Sequence, residues 1–126
     1  MKKYNAVIIG CGKIGALYDI ENDLILTHAK GYYLSDNINL KFVIDVDKSV
    51  AVKVSKKYNC DYKLDYKDID YKEIDIVSIC TPTEFHFEIL SYFYKIQYTK
   101  IILLEKPVVE SEEEITLIES FSKKEK

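Results

Sequence analysis

The sequence contains no arginine: all eighteen of its cationic residues are lysine, set against 21 acidic ones for a net charge of −3. The guanidinium forks that favour paired contacts with phosphates and base edges are absent, so nucleic acid is not an expected partner. Glycine and proline are scarce, four and two in 126 residues, and no internal repeat, low-complexity tract or linker stands out. With 48% hydrophobic content, residues 1–126 are expected to form one domain with a real core rather than a disordered or fibrous chain. No apolar run approaches the roughly 20 residues that span a bilayer, and the lysine-led start runs into a short apolar segment rather than a signal-peptide core. A cytoplasmic protein away from the membrane is expected. Cys11, Cys60 and Cys80 are odd in number and form no C-x-x-C pair, which fits reduced, buried thiols and gives neither a disulfide framework nor a metal site. Eleven tyrosines beside no arginine read as coding bias of an AT-rich genome rather than as an aromatic binding platform.

What the sequence does have is a short apolar run, Ala6-Val7-Ile8-Ile9, feeding into Gly10-Cys11-Gly12-Lys13-Ile14-Gly15, a G-x-G-x-x-G motif. A second apolar run, Phe42-Val43-Ile44, ends on Asp45. These are the parts that hold a dinucleotide. Gly10 permits the tight turn, Gly12 lets backbone approach the pyrophosphate, and Gly15 lets the helix sit close to the sheet. Lys13 and Ile14 open that helix, whose N-terminal N–H groups favour phosphate. The Asp45 carboxylate can accept hydrogen bonds from ribose hydroxyls. Thirty positions separate Gly15 from Asp45, more than the ~20 usual for the fingerprint, and the surplus is assigned to a loop over Ile20 to Thr27.

Downstream, Asp47 is a natural N-cap for a helix over Lys48 to Tyr58 that turns Val50, Ala51, Val54 and Tyr58 inward and Lys53, Lys56 and Lys57 outward. Residues 60–74 have room for a short strand and one helical turn. Asp75 to Cys80 reads as a buried parallel strand, followed by a helix capped by Thr83 with Phe85, Ile89, Leu90, Phe93 and Ile96 as its inner stripe. Lys100 to Glu105 is the next strand, and Ser111 to Glu114 has capping-box spacing before a last helix. Strands that are near-continuous apolar runs, alternating with helices, predict an α/β fold with a doubly wound parallel sheet of Rossmann type. In such a sheet ligands bind beyond the carboxyl ends of the strands, which brings forward Gly10 to Gly15, Asp45, Thr81-Pro82 and Glu105-Lys106-Pro107.

These strand-end motifs, Gly10-Cys11-Gly12 with Ile14-Gly15, Val43-Ile44-Asp45-Val46-Asp47, Ser78-Ile79-Cys80-Thr81-Pro82-Thr83 with His86, and Glu105-Lys106-Pro107, resemble in order and position those of the Gfo/Idh/MocA oxidoreductases. The resemblance runs from about Tyr4 to the end of the chain, and Leu26 to Tyr32 looks like a helix start seen in members tied to sugar metabolism. It implies that Asp45 holds the adenosine ribose, that Thr81 and Pro82 line the cofactor cleft, and that Glu105 and Lys106 lie by the nicotinamide. Lys106 and His86 are the candidate acid/base groups at that cleft. A carboxylate at Asp45 repels a 2′-phosphate, so NAD is favoured over NADP. The resemblance also implies a sugar or polyol substrate and a second, α/β domain that this sequence does not contain, along with the final strand of the sheet, so that chemistry is incomplete in these residues alone.

Simpler readings stand beside these. Asp45 could instead be a turn residue ending a strand, Lys106 a solvated lysine, and His86 a ring facing water; His28 is read as structural, and Glu112 to Glu114 as acids at a helix start. Three functions compete: the cofactor half of a sugar or polyol dehydrogenase, which the residues favour; a stand-alone module sensing NAD(H) or coenzyme A; and a decayed fragment. With strand order 3-2-1-4-5, the strand at Lys100 to Glu105 would be an open apolar edge, and self-association is expected there.

Overall fold

The computed structural model describes residues 4–11 and 27–104. Strand β1 (Tyr4–Ile9) is followed by α1 (His28–Leu34), β2 (Ile38–Ile44), α2 (Lys48–Tyr58) and β3 (Asp61–Lys63). Then come β4 (Ile76–Ile79), α3 (His86–Lys95) and β5 (Ile101–Leu104). All strand pairs are parallel and the order is β3-β2-β1-β4-β5, the doubly wound arrangement expected. Gly12, Lys13, Ile14, Gly15, Glu105, Lys106, the helix after Ser111 and most of the Ile20 to Thr27 loop lie outside the described residues.

The apolar runs are continuous because both faces of the central strands are covered. Ala6, Ile8, Val43 and Ile76 face one side, against Ala29 and Tyr32 of α1 and Val54 and Tyr58 of α2. Val7, Ile9, Val77 and Ile79 face the other, against Ile89 and Phe93 of α3. The β1 and β2 register slips between Ala6 and Val7, where Lys41 is the extra residue and stays exposed. Helix α2 is built as expected. The Asp47 carboxylate accepts from Ser49 N and Val50 N at 3.0 and 3.4 Å, and Asn59 closes the helix in the left-handed region at φ 52°.

Two expectations need correction. The stripe of α3 is His86, Ile89 and Phe93, while Phe85 and Ile96 are 45% and 41% exposed and Leu90 is half-buried. Thr83 to Phe85 is a 3₁₀ turn without a side-chain cap from Thr83, so the α-helix begins at His86 and its inward face is rotated relative to one started at Thr83. There is also an internal repeat: Asp65-Tyr66-Lys67-Asp68-Ile69 is followed at once by Asp70-Tyr71-Lys72-Glu73-Ile74. Each pentad folds as a 3₁₀ turn capped by its own aspartate, with Asp65 accepting from Lys67 N at 2.9 Å and Asp70 from Lys72 N at 3.0 Å. Each buries its isoleucine. Residues 60–74 thus hold one strand and two turns rather than one.

The pentad tyrosines join Tyr92, Phe93 and Tyr98 in an aromatic cluster, with Tyr71 edge-on to Phe93 at 4.7 Å between centroids. Burial pushes the Tyr66 and Tyr98 phenols up to about 12 and the Tyr71 phenol higher still. A proton bound more tightly in the folded state than in the unfolded one gives stability that is full below the unfolded tyrosine value near 10 and is lost as pH rises above it. In an alkaline titration followed by phenolate absorbance, these tyrosines are expected to ionise together with loss of structure rather than in the first phase. Ionisation of all eleven tyrosines in one phase near pH 10 with the fold intact would remove this cluster from the core.

Candidate dinucleotide cleft

Three strand ends meet at Gly10. Its N–H donates to the Ile44 carbonyl at 2.7 Å, and Cys80 N donates to the Ile9 carbonyl at 2.8 Å. The residue has φ +92°, and a Cβ there would stand 2.7 Å from Thr81 N and 2.9 Å from the Cys80 carbonyl carbon. Glycine is required twice over, by conformation and by the close approach of the β4 turn.

Asp45 follows β2 and faces this turn. One carboxylate oxygen accepts from Cys11 N at 2.9 Å and the other from Asp47 N at 2.9 Å. An ionised carboxylate has roughly four acceptor positions, so two remain for further donors such as a ribose diol. The side chain therefore serves as the turn residue of the simpler reading and keeps capacity for a ligand. The neighbouring Cys11 thiol points to the Ile44 carbonyl at 3.6 Å, and burial pushes its ionisation well above the ordinary cysteine range. It is packing, without the character of a nucleophile.

Thr81 and Pro82 form the opposite wall. The Thr81 hydroxyl is buried and has no hydrogen-bond partner among the described residues, which leaves it open to a ligand group. His86 lies beneath this turn, 1% exposed, and its Nε2 donates to the Thr81 carbonyl at 2.8 Å, which fixes the tautomer. The ring thus faces the turn rather than water. His28 is likewise tied inward, its Nδ1 2.9 Å from the Ser78 hydroxyl, which also bonds the Tyr32 hydroxyl. This joins α1 to the middle of β4, in keeping with a structural His28.

Between these walls is a cleft of about 430 Å³ at the carboxyl edge of the sheet. It gathers Gly10, Asp45, Thr81 and Pro82, as the sequence motifs require. It also contains residues that the sequence analysis did not single out for the site: Val46, Leu64, Tyr66, Lys67 and Glu88. Val46 and Leu64 are 90% and 40% exposed, an apolar wall that serves no core. A flat apolar ligand with a polar sugar fits such a surface. The orphaned Thr81 hydroxyl and the spare acceptor positions on Asp45 match a nicotinamide dinucleotide. Among the described residues no cluster of three or more His, Cys, Asp or Glu side chains could hold a metal ion, and no helix is long and apolar enough to cross a membrane.

Comparison with known proteins agrees with this geometry. A family model described as an oxidoreductase family with an NAD-binding Rossmann fold, Gfo/Idh/MocA, matches residues 4–126. No curated protein matches. Among solved structures, a Sinorhizobium meliloti protein described as a myo-inositol dehydrogenase is 24% identical with a TM-score of 0.79, over 97% of this chain and 33% of its own. The myo-inositol 2-dehydrogenase of Lactobacillus plantarum is 24% identical with a TM-score of 0.77, over 98% and 34%. An NAD-binding protein from Listeria innocua is 25% identical with a TM-score of 0.74, over 98% and 33%. Similar structures include complexes with NAD and with NADP. The chain spans about a third of the length of these relatives. With the family model matched over nearly its whole length, this chain belongs to the Gfo/Idh/MocA oxidoreductase family and carries its NAD-binding Rossmann domain.

Proposed function

We propose that this domain binds NAD(H) as the cofactor half of an oxidoreductase acting on a sugar or polyol. The observation that carries the reading is the Asp45 carboxylate, held against the Gly10 turn through Cys11 N with acceptor capacity to spare. Gly10 to Gly15 would take the pyrophosphate, Asp45 the adenosine ribose, and the Thr81 hydroxyl with Pro82 the far side of the cofactor. NAD supplies hydride transfer when bound. His86 is a positioning residue that holds the Thr81 carbonyl and so the shape of the cleft wall. Glu105 and Lys106, which follow β5 in sequence, are assigned to the nicotinamide end, with Lys106 as the group able to move a proton to or from substrate.

The preference for NAD over NADP rests on two carboxylates. Asp45 repels a 2′-phosphate, and Asp47 already occupies the first free N–H groups of α2, where such a phosphate would otherwise dock. No arginine is available to clasp it. The free cysteines suit a reducing cytoplasm. Ile101 and Leu103 of β5 are 53% and 43% exposed, and we assign that edge to pairing with a second copy of the chain.

Calorimetric titration with NAD, NADH, NADPH and coenzyme A tests the assignment: saturable NAD(H) binding is expected, and binding of coenzyme A alone would replace it with a different nucleotide module. Asp45→Asn keeps one acceptor oxygen and removes the charge. It is expected to weaken NAD about 10-fold or more while affecting NADPH less, and an unchanged ratio would take Asp45 out of the ribose site. Gly10→Ala should lose NAD binding together with about 1–3 kcal/mol of stability from φ alone, measured by chemical denaturation. Sedimentation should show mass rising with concentration; a monomer at every concentration would clear β5 of self-pairing.

A further inference from the structure

The end of the cleft beyond Asp45 carries polar groups that the fold itself leaves unused. Tyr66 and Tyr71 occupy the same place in the two tandem pentads, yet their hydroxyls differ in fate. Tyr71 donates to the Tyr66 carbonyl at 2.6 Å. The Tyr66 hydroxyl is buried and has no hydrogen-bond partner among the described residues. The carboxylates of Asp65 and of Glu88, in the first turn of α3, are near enough to add to the effect of burial in holding that phenol neutral. Tyr66, Asp65 and Glu88 all line the cleft, and Lys67 lies over the Tyr66 ring, 5.8 Å from its centroid. A buried hydroxyl with no partner is costly to keep unless something supplies one.

A ribose on Asp45, with its phosphates at the Gly10 turn, directs the base into this end of the cleft, between Val46 and Leu64 on one wall and Pro82 and Phe85 on the other. We propose that Tyr66 and Glu88 read the 6-amino edge of the purine, with Glu88 as the specificity-determining residue that selects adenine over a 6-oxo purine. This rests on the dinucleotide reading above and names what that reading leaves open. The exocyclic amine of adenine is a donor and meets the Glu88 carboxylate, which only accepts; the adjacent ring nitrogen is an acceptor and meets the Tyr66 hydroxyl, which can donate. In hypoxanthine the 6-oxo group is an acceptor and the ring nitrogen carries hydrogen. The oxo group then faces a carboxylate, acceptor against acceptor, while the Tyr66 hydroxyl turns from donor to acceptor and meets the ring N–H.

The test is calorimetric titration of the full chain with NAD and with nicotinamide hypoxanthine dinucleotide, which share every phosphate and ribose. NAD is expected to bind at least about tenfold more tightly. Glu88→Gln gives the side chain an amide that can donate to the oxo group, so the gap should close mainly through tighter binding of the hypoxanthine form. A general loss of fold would weaken both ligands together and would not produce that change. Tyr66→Phe should weaken both dinucleotides and leave the gap in place, because the phenol hydroxyl can donate to a bare ring nitrogen or accept from a ring N–H. Equal affinities in the unaltered chain, or a gap untouched by Glu88→Gln, would overturn the base selectivity and leave the dinucleotide reading standing. Binding of neither dinucleotide would overturn both.

Discussion

The carboxyl edge of this sheet depends on the contact between Gly10 and the Cys80-Thr81 peptide. At 2.7 to 2.9 Å from where a Cβ would stand, backbone of the turn after β4 occupies the volume of a side chain. That approach lets the β1 turn, the β2 turn and the β4 turn share one small region, and it sets the position of Asp45 through Cys11 N and of Thr81 through the neighbouring strand. The cleft is a consequence of packing between backbones first and of side-chain chemistry second. Asp45 and His86 then act as braces on opposite walls, one holding the Cys11 amide and the other the Thr81 carbonyl.

The interior of the sheet was legible because strands covered on both faces need no alternation, and runs such as Ala6 to Ile9 and Ile76 to Ile79 announce themselves by apolar continuity. The strand-end motifs followed, since topology alone sends Gly10, Asp45 and Thr81 to one edge. Helix α3 was legible as a helix but not in phase. A single 3₁₀ turn ahead of it moved Phe85 out of the core stripe and put His86 in, and nothing local distinguishes a helix started at Thr83 from one started at His86.

The tripeptide Asp-Tyr-Lys makes the same point more sharply. It occurs at residues 61–63, 65–67 and 70–72. The first copy is strand β3, because Phe42 to Ile44 of β2 offers it an edge to pair with; the other two form capped turns. Identical local sequence takes its conformation from what lies beside it, which is why residues 60–74 resisted reading. The base end of the cleft was missed for the same reason. Tyr66 and Glu88 are 22 positions apart in sequence and carry no motif; only the packing of the pentads against α3 brings them to one surface.

The tandem pentads have a further consequence for how this connection can change length. Each unit carries its own cap, its own turn and its own buried anchor, so the segment between β3 and β4 is assembled from interchangeable modules rather than drawn as one irregular loop. Gain or loss of a whole module leaves every remaining turn closed and every remaining isoleucine facing inward, whereas a change of two or three residues puts a charged side chain where an anchor belongs. The spacing between these two strands is in effect quantised, and the rim of the cleft moves with it in steps of one turn.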